Sequence, residues 1–328
     1  MGSPDATVPS LGGAFAGRYR LIAPLGSDRE GTVYRARDDV LARDVAVKIF
    51  PLDADVVAHP RRRFASARTL TALDHPSLVT LYDAHLTREG HGYLVMELIP
   101  GPTLRQHLDD RGALDPDLVA ALLHDVAEGL AAIHEVGIVH QHLESSNVLL
   151  RPERAAARPF TAVLADFGVT QVLGARPAAA QAPPDAEYLP PERWHGEAAT
   201  PASDIYALGL LAQEMLTAEG PLSGGAIQEL VLGPLDYDPE VPKGFGYGWE
   251  VLLTAMTDPD PEGRPTASEV ADLARELQGA TAPADSVAAA AVRIEAEPVT
   301  ALRAVHQARE TSARRRRPPL WAWVTHYH

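Results

Sequence analysis

Four short stretches hold the residue types that do chemistry. Gly26-Ser27-Asp28-Arg29-Glu30-Gly31-Thr32-Val33 is a glycine-containing turn. Glycine carries no Cβ, so the backbone N–H groups of such a turn can approach a bound anion closely. Val45-Ala46-Val47-Lys48 sets a lysine inside a β-branched run, an unusual place for a solvated cation. His140-Gln141-His142-Leu143-Glu144-Ser145-Ser146-Asn147 gathers two imidazoles, a carboxylate and two side-chain amides within eight residues. Asp166-Phe167-Gly168 adds a carboxylate after an apolar run. A lone glycine turn says little. Turn, buried cation and two polar clusters, in this order, describe a machine for handling phosphate.

These residues need elements to position them. Tyr19-Arg20-Leu21-Ile22, Thr32-Val33-Tyr34-Arg35-Ala36, Val45-Ala46-Val47-Lys48-Ile49-Phe50 and Tyr93-Leu94-Val95-Met96 are short β-branched and aromatic runs that predict strands. Residues 61–73 predict a helix between them. From Pro100 onward the pattern turns helical. Residues 117–134 carry Leu118, Leu122, Val126, Leu130 and Ile133 at spacings of three or four, with Asp115 placed as an N-cap. A second helix is expected after Ser203, through Ile205, Leu208, Leu211 and Met215. A third opens at Thr266-Ala267-Ser268-Glu269, a capping box. The fold class is α+β, with a strand-rich part followed by a larger helix-rich part.

Composition narrows the function classes. Of 328 residues, 46% are hydrophobic, enough for a sizeable core. The net charge of −15 argues against a nucleic-acid binder, whose contacts with phosphate need surplus lysine and arginine. Cys is absent, so disulfides, thiol nucleophiles and cysteine–zinc sites are excluded. The 28 prolines exceed the usual ~5% and point to long loops or tails. No run of about 18 apolar residues is present. The first residues lack the basic start and apolar stretch of a secretory signal, so a cytoplasmic location is expected.

With Pro190-Pro191-Glu192, Asp204 and Arg264-Pro265 following in order, residues 18–278 resemble the protein kinase family, in particular bacterial serine/threonine kinases of eukaryotic type. The resemblance implies a bilobal fold, a small β-rich N-lobe (17–98) and a larger α-helical C-lobe (99–279). Residues 1–16 read as a disordered lead-in and 280–328 as a low-complexity tail. It also implies ATP and Mg as cofactors. Lys48 would hold the phosphates, Gly26 and Gly31 would border the phosphate loop, and Asn147 and Asp166 would ligate Mg. Val33, Ala46 and Leu149 would sandwich adenine, and Met96, Glu97 and Leu98 would form the hinge beside it. His140 would be core packing. Glu192 and Arg264 would be a structural ion pair, and Asp204 an acid holding the catalytic-loop backbone. The remaining histidines, His195, His326 and His328 among them, show no metal-ligand spacing.

Against the same pattern, key positions have changed. The catalytic Asp is His142, and loss of a general base alone costs about 10²–10⁴ in rate. The Lys two residues on is Glu144, a charge reversal where negative charge moves in the transition state. The helix Glu that would pair with Lys48 aligns with Ser66. Asp28 replaces a loop glycine and brings a negative charge toward the phosphates. The Arg that reads a phosphorylated activation segment is Gln141, and residues 171–191 contain no Ser or Thr to phosphorylate. The Thr near the end of that segment aligns with Asp185. The expectation is a pseudokinase that binds ATP·Mg weakly and serves as a regulatory or scaffolding module for a protein partner. The alternative is an atypical active kinase, or a nucleotidyl transferase, with His142 as base. Without its Glu partner, Lys48 is expected to pair with Asp166 or Glu144.

The basic run Arg314 to Arg317, followed by Pro318-Pro319-Leu320-Trp321-Ala322-Trp323-Val324, is the longest basic run in an acidic chain. It reads as a solvated tail. Weak contact with a membrane surface is the alternative, and a chain ending short of a membrane helix is a third reading.

Overall fold

The computed structural model describes residues 14–15, 17–28, 30–52, 73–87, 90–153, 158–168, 187–221 and 241–279. Six antiparallel strands form one sheet, in the order β1-β2-β3-β4-β6-β5. They are β1 (Ala14–Phe15), β2 (Tyr19–Ser27), β3 (Thr32–Asp38), β4 (Arg43–Pro51), β5 (Leu81–Leu86) and β6 (His91–Glu97). β4 lies between β3 and β6 and is buried from Val45 to Phe50. Side chains alternate along a strand, so one continuous apolar run serves two cores. Val45, Val47 and Ile49 join Tyr19, Leu21, Ala36, Tyr93 and Val95 in a small cluster on one face. Ala46 and Phe50 join the main core on the other. Lys48 falls on the Ala46 face by the same alternation, so it must point toward the rest of the molecule.

One expectation is corrected at the N-terminus. Ala14–Phe15, taken with the disordered lead-in, form β1, with Ala14 opposite Arg20 and Phe15 opposite Tyr19. An edge pairing of this kind is made by backbone groups and leaves little trace in side-chain pattern.

The C-terminal part is built on helices α1 (Leu104–Arg111), α2 (Pro116–Glu135), α3 (Pro191–Trp194), α4 (Pro201–Thr217), α5 (Tyr247–Met256) and α6 (Ala267–Leu277). A hairpin of β7 (Val148–Pro152) and β8 (Phe160–Leu164) sits among them. The expected caps are present: Asp115 accepts from Asp117 N, and Thr266 and Glu269 cap each other. α4 is buried on every side from Ser203 to Leu216, as a helix running through the centre of a core must be. Its buried polar residues then need partners, and those partners organise the site. The expected helix at 61–73 lies outside the described residues except for Leu73, which is in coil. β5 and α1 had no clear sequence signal. β5 is a half-buried edge strand, and α1 is short and mostly polar, held by the Thr103/Gln106 capping box.

A bidentate ion pair clamps α3 to the helical lobe. Arg264 gives NH1 to Glu192 Oε1 at 2.8 Å and NH2 to Glu192 Oε2 at 2.9 Å. Its remaining N–H groups reach the carbonyls of Asp258, Ala202 and Pro259. Ser203 Oγ donates to the same Glu192 oxygen. With every donor satisfied, the buried charges are tolerable; with one partner removed, they are not. Arg264→Ala is therefore expected to cost about 3–5 kcal/mol of stability in urea unfolding. Arg264→Lys should recover only part of it, because an ammonium cannot span both oxygens. An unchanged urea midpoint for Arg264→Ala would show that the clamp bears no load.

Candidate functional site

The loop at 140–147 is held from below by α4. Asp204 accepts His140 N at 2.7 Å, Gln141 N at 2.9 Å and His134 Nε2 at 2.8 Å. These bonds fix a strained backbone: Gln141 sits at φ 70°, in the left-handed region that most side chains avoid. His140 is fully buried. Its Nδ1 accepts from His142 N and its Nε2–H donates to the Ala165 carbonyl at 3.0 Å. Burial holds its pKa down to about 4, so the ring is neutral and in a single tautomer. Asn147 gives its side-chain N–H to the His142 carbonyl at 2.7 Å, leaving its amide oxygen as an acceptor. The frame of the loop is thus complete, and within it stand the imidazole of His142 and the carboxylate of Glu144.

Asp166 follows β8 at φ 59°, with Phe167 buried in the core behind it and Gly168 at φ 66°. This turn delivers the Asp166 carboxylate to Lys48, Oδ2 to Nζ, at 3.0 Å. Lys48 is 1% exposed and has two further partners from the glycine turn, Asp28 Oδ2 at 2.7 Å and Glu30 Oε2 at 3.4 Å. Burial alone would lower the Lys48 pKa, but the three carboxylates outweigh it and raise it, so the ammonium stays charged. Burial pushes the Asp166 carboxyl above the usual range, against the pull of Lys48. It also works against ionised Asp28. There the Lys48 charge and the backbone N–H groups of Gly31 and Glu30 prevail and lower the pKa. The expected pairing of Lys48 with Asp166 is present. Among the described residues the ion pairs of Lys48 are with Asp28, Glu30 and Asp166, and none is with Glu144.

Beside this cluster lies an apolar floor. Ala46 and Met96 are buried in the main core, with Val33, Leu98 and Leu149 packed against it. Glu97 ends β6 and accepts from Arg151 NH2 at 2.9 Å. The two singled-out glycines differ. A Cβ at Gly26 would meet open space, whereas one at Gly31 would run into the Ile49 carbonyl oxygen of β4. Gly31 is thus required for the turn to lie flat on the sheet.

Two features escaped the sequence reading. One is the pairing of Asp28 and Glu30 with Lys48, which no local pattern signals. The other is a buried polar knot behind the loop. Glu214 of α4 accepts Arg105 NH2 at 2.8 Å, Ser145 Oγ at 3.2 Å and the Tyr188 hydroxyl. Burial raises the pKa of Glu214 and, with the Glu214 charge, that of Tyr188. Ser66, Asp185 and the tail at Arg314 to Arg317 lie outside the described residues, as does most of 171–191. No described helix is long and apolar enough to cross a membrane.

A six-stranded sheet followed by a helical part, joined where Lys48 of β4 meets Asp166 after β8, is the architecture of a kinase fold. Residues 19–273 match the protein kinase domain, and the chain belongs to the protein kinase family. It is 34% identical over 287 residues to the serine/threonine-protein kinase pkn2 of Myxococcus xanthus, covering 83% of this chain and 33% of that protein. It is 35% identical over 227 residues to PknL of Mycobacterium tuberculosis, covering 67% of this chain and 54% of that protein. The chain therefore spans about a third to a half of the length of these curated relatives. Among solved structures, the Mycobacterium tuberculosis PknI kinase domain superposes with TM-score 0.64 at 24% identity, covering 83% of this chain and 100% of that one. The family uses ATP and Mg. Here the Asn147 and Asp166 oxygens suit a hard cation, and the backbone N–H groups of the glycine turn already hold the Asp28 carboxylate.

Two outcomes follow. The folded state resists protonating His140 until about pH 4, while an unfolded histidine takes its proton near 6.5. Stability is therefore expected to fall as pH drops from about 6.5 toward 4, by at most about 1.4 kcal/mol per unit, in melts against pH. A flat profile would mean a protonated ring in the fold. Separately, Gly31→Ala should cost about 1–3 kcal/mol, while Gly26→Ala should stay within about 0.5 kcal/mol of the parent. Equal losses in denaturant titrations would refute the distinction.

Proposed function

We propose that this chain is a pseudokinase: a kinase fold impaired in phosphoryl transfer that acts as a regulatory or scaffolding module for a protein partner. The observation that carries the reading is the contrast within one loop. Asp204, His140 and Asn147 hold the backbone of 140–147 in order, while the two positions that move protons and charge carry His142 and Glu144. A neutral imidazole lacks the charge and the two-oxygen geometry of a carboxylate. Glu144 puts a negative charge where a cation would offset the phosphate in flight. The same contrast supports weak binding of ATP·Mg, since Asn147, Asp166 and the apolar floor remain and the anionic groups oppose phosphate. Bound ATP·Mg would supply the transferable phosphate. This chain's residues would hold the metal through Asn147 and Asp166 and lay the base on Val33, Ala46 and Leu149.

A second reading, an atypical active serine/threonine kinase with His142 as base, draws on the presence of Lys48, Asn147 and Asp166 together. Intact mass after incubation with ATP and Mg separates the two, with Asp166→Ala as the blank. No added mass is expected for the parent chain. An added phosphate or AMP, absent from the blank, would establish an enzyme. The double variant His142→Asp with Glu144→Lys is expected to gain transfer activity, measured on a generic protein substrate. Failure to gain any would place the block elsewhere in the cleft.

A further inference from the structure

The cleft divides into an apolar half and an anion half, and the anion half is already filled. Two successive backbone N–H groups of the glycine turn converge on one oxygen: Asp28 Oδ1 accepts Glu30 N at 2.7 Å and Gly31 N at 2.8 Å. Successive N–H groups arranged this way form a concavity that binds anions. The other oxygen of the same carboxylate, Oδ2, lies 2.7 Å from Lys48 Nζ. One carboxylate thus takes both the cradle and the cation that a phosphate would need. Asp28 N also donates to the Gly31 carbonyl at 2.9 Å, closing the turn on itself. On the far side, Asp166 Oδ2 and Glu30 Oε2 complete the shell around Nζ. The apolar half, Val33, Ala46, Met96, Leu98 and Leu149, brings no charge to the cleft.

We infer that Asp28 sets the ligand specificity of the cleft, standing in place of a nucleotide's phosphates so that the pocket favours an uncharged purine-type nucleoside over a nucleoside triphosphate. The inference rests on reading the apolar floor as a nucleoside pocket and adds to that reading which part of the nucleotide is refused. Physical sense comes from charge and geometry together. Lys48 already has three carboxylates within reach, so an incoming anion would have to enter against Asp28, Glu30 and Asp166. A triphosphate would have to displace Asp28 from both N–H groups and from Lys48, and would place its own charges beside Glu30 and Asp166. Mg offsets part of that repulsion but returns none of the hydrogen bonds. The turn cannot retreat sideways either, because Gly31 lies against the Ile49 carbonyl of β4. A nucleoside carries no phosphate and so meets none of these costs.

The test is calorimetric titration of the full chain with adenosine and with ATP·Mg, on the parent, Asp28→Gly and Asp28→Asn. The parent is expected to bind adenosine at least as tightly as ATP·Mg. Asp28→Gly frees the cradle and the cation, and should tighten ATP·Mg by about tenfold or more while adenosine stays within about twofold. Asp28→Asn keeps an acceptor for the turn's N–H groups while giving up the charge, so it protects the test against a misfolded glycine variant; it should move the same way by less. Tighter binding of ATP·Mg than of adenosine by the parent would overturn the inference. So would variants that change both ligands alike or neither, or an absence of binding by any form. Phosphate transfer is scored separately by mass. Transfer by a parent chain that still prefers adenosine would overturn the pseudokinase reading and leave this inference standing. A glycine variant that gains ATP·Mg without transferring phosphate supports both.

Discussion

A single buried ammonium sets the terms for the cleft. β4 must be apolar on both faces to join two cores, and Lys48 sits in the middle of it with almost no exposure. A cation there cannot remain unpaired, because removing it from water without a compensating charge costs several kcal/mol. In this chain the compensation comes from three directions: the turn between β2 and β3 supplies Asp28 and Glu30, and the turn after β8 supplies Asp166. Those contacts tie the small lobe's glycine turn to the large lobe's hairpin. The left-handed backbone of Asp166 is part of the same arrangement, since it is what aims the carboxylate at the strand.

The helical lobe solves a parallel problem with opposite sign. α4 runs through the core and carries Asp204 and Glu214, two acids that also cannot be left alone. Asp204 is satisfied by backbone N–H groups of the 140–147 loop and by His134. Glu214 is satisfied by Arg105, Ser145 and Tyr188. Asp204 thereby orders the start of the 140–147 loop, and Glu214 ties α1, Ser145 and Tyr188 to α4. This explains how the loop at 140–147 keeps its shape through backbone and frame contacts. The frame depends on α4 and on His140, and none of those contacts asks anything of the His142 and Glu144 side chains.

Much of the frame was legible because its signals are local. The β-branched runs of β3 and β4, the three-four spacing of α2 and the capping pair at Thr266 and Glu269 each follow from neighbours in sequence. The roles of Asp204, Glu192 and Arg264 were legible only through resemblance, since nothing near them in the chain says what they touch. The short edge pairing of β1 and the polar helix α1 were missed because backbone ladders and caps, not apolar periodicity, hold them.

By itself the sequence determined the two-part α+β architecture, the family, and which residues stand at positions 28, 142 and 144. Those are matters of residue type and order. Only the tertiary structure decided which acids neutralise Lys48, and that Asp28 folds back onto the turn's own N–H groups while Glu144 does not reach the cation. The physical reason is that charge pairing depends on distance in space. A turn pinned by Gly31 against β4 holds its carboxylates within hydrogen-bonding reach of Nζ, and no spacing along the chain encodes that approach.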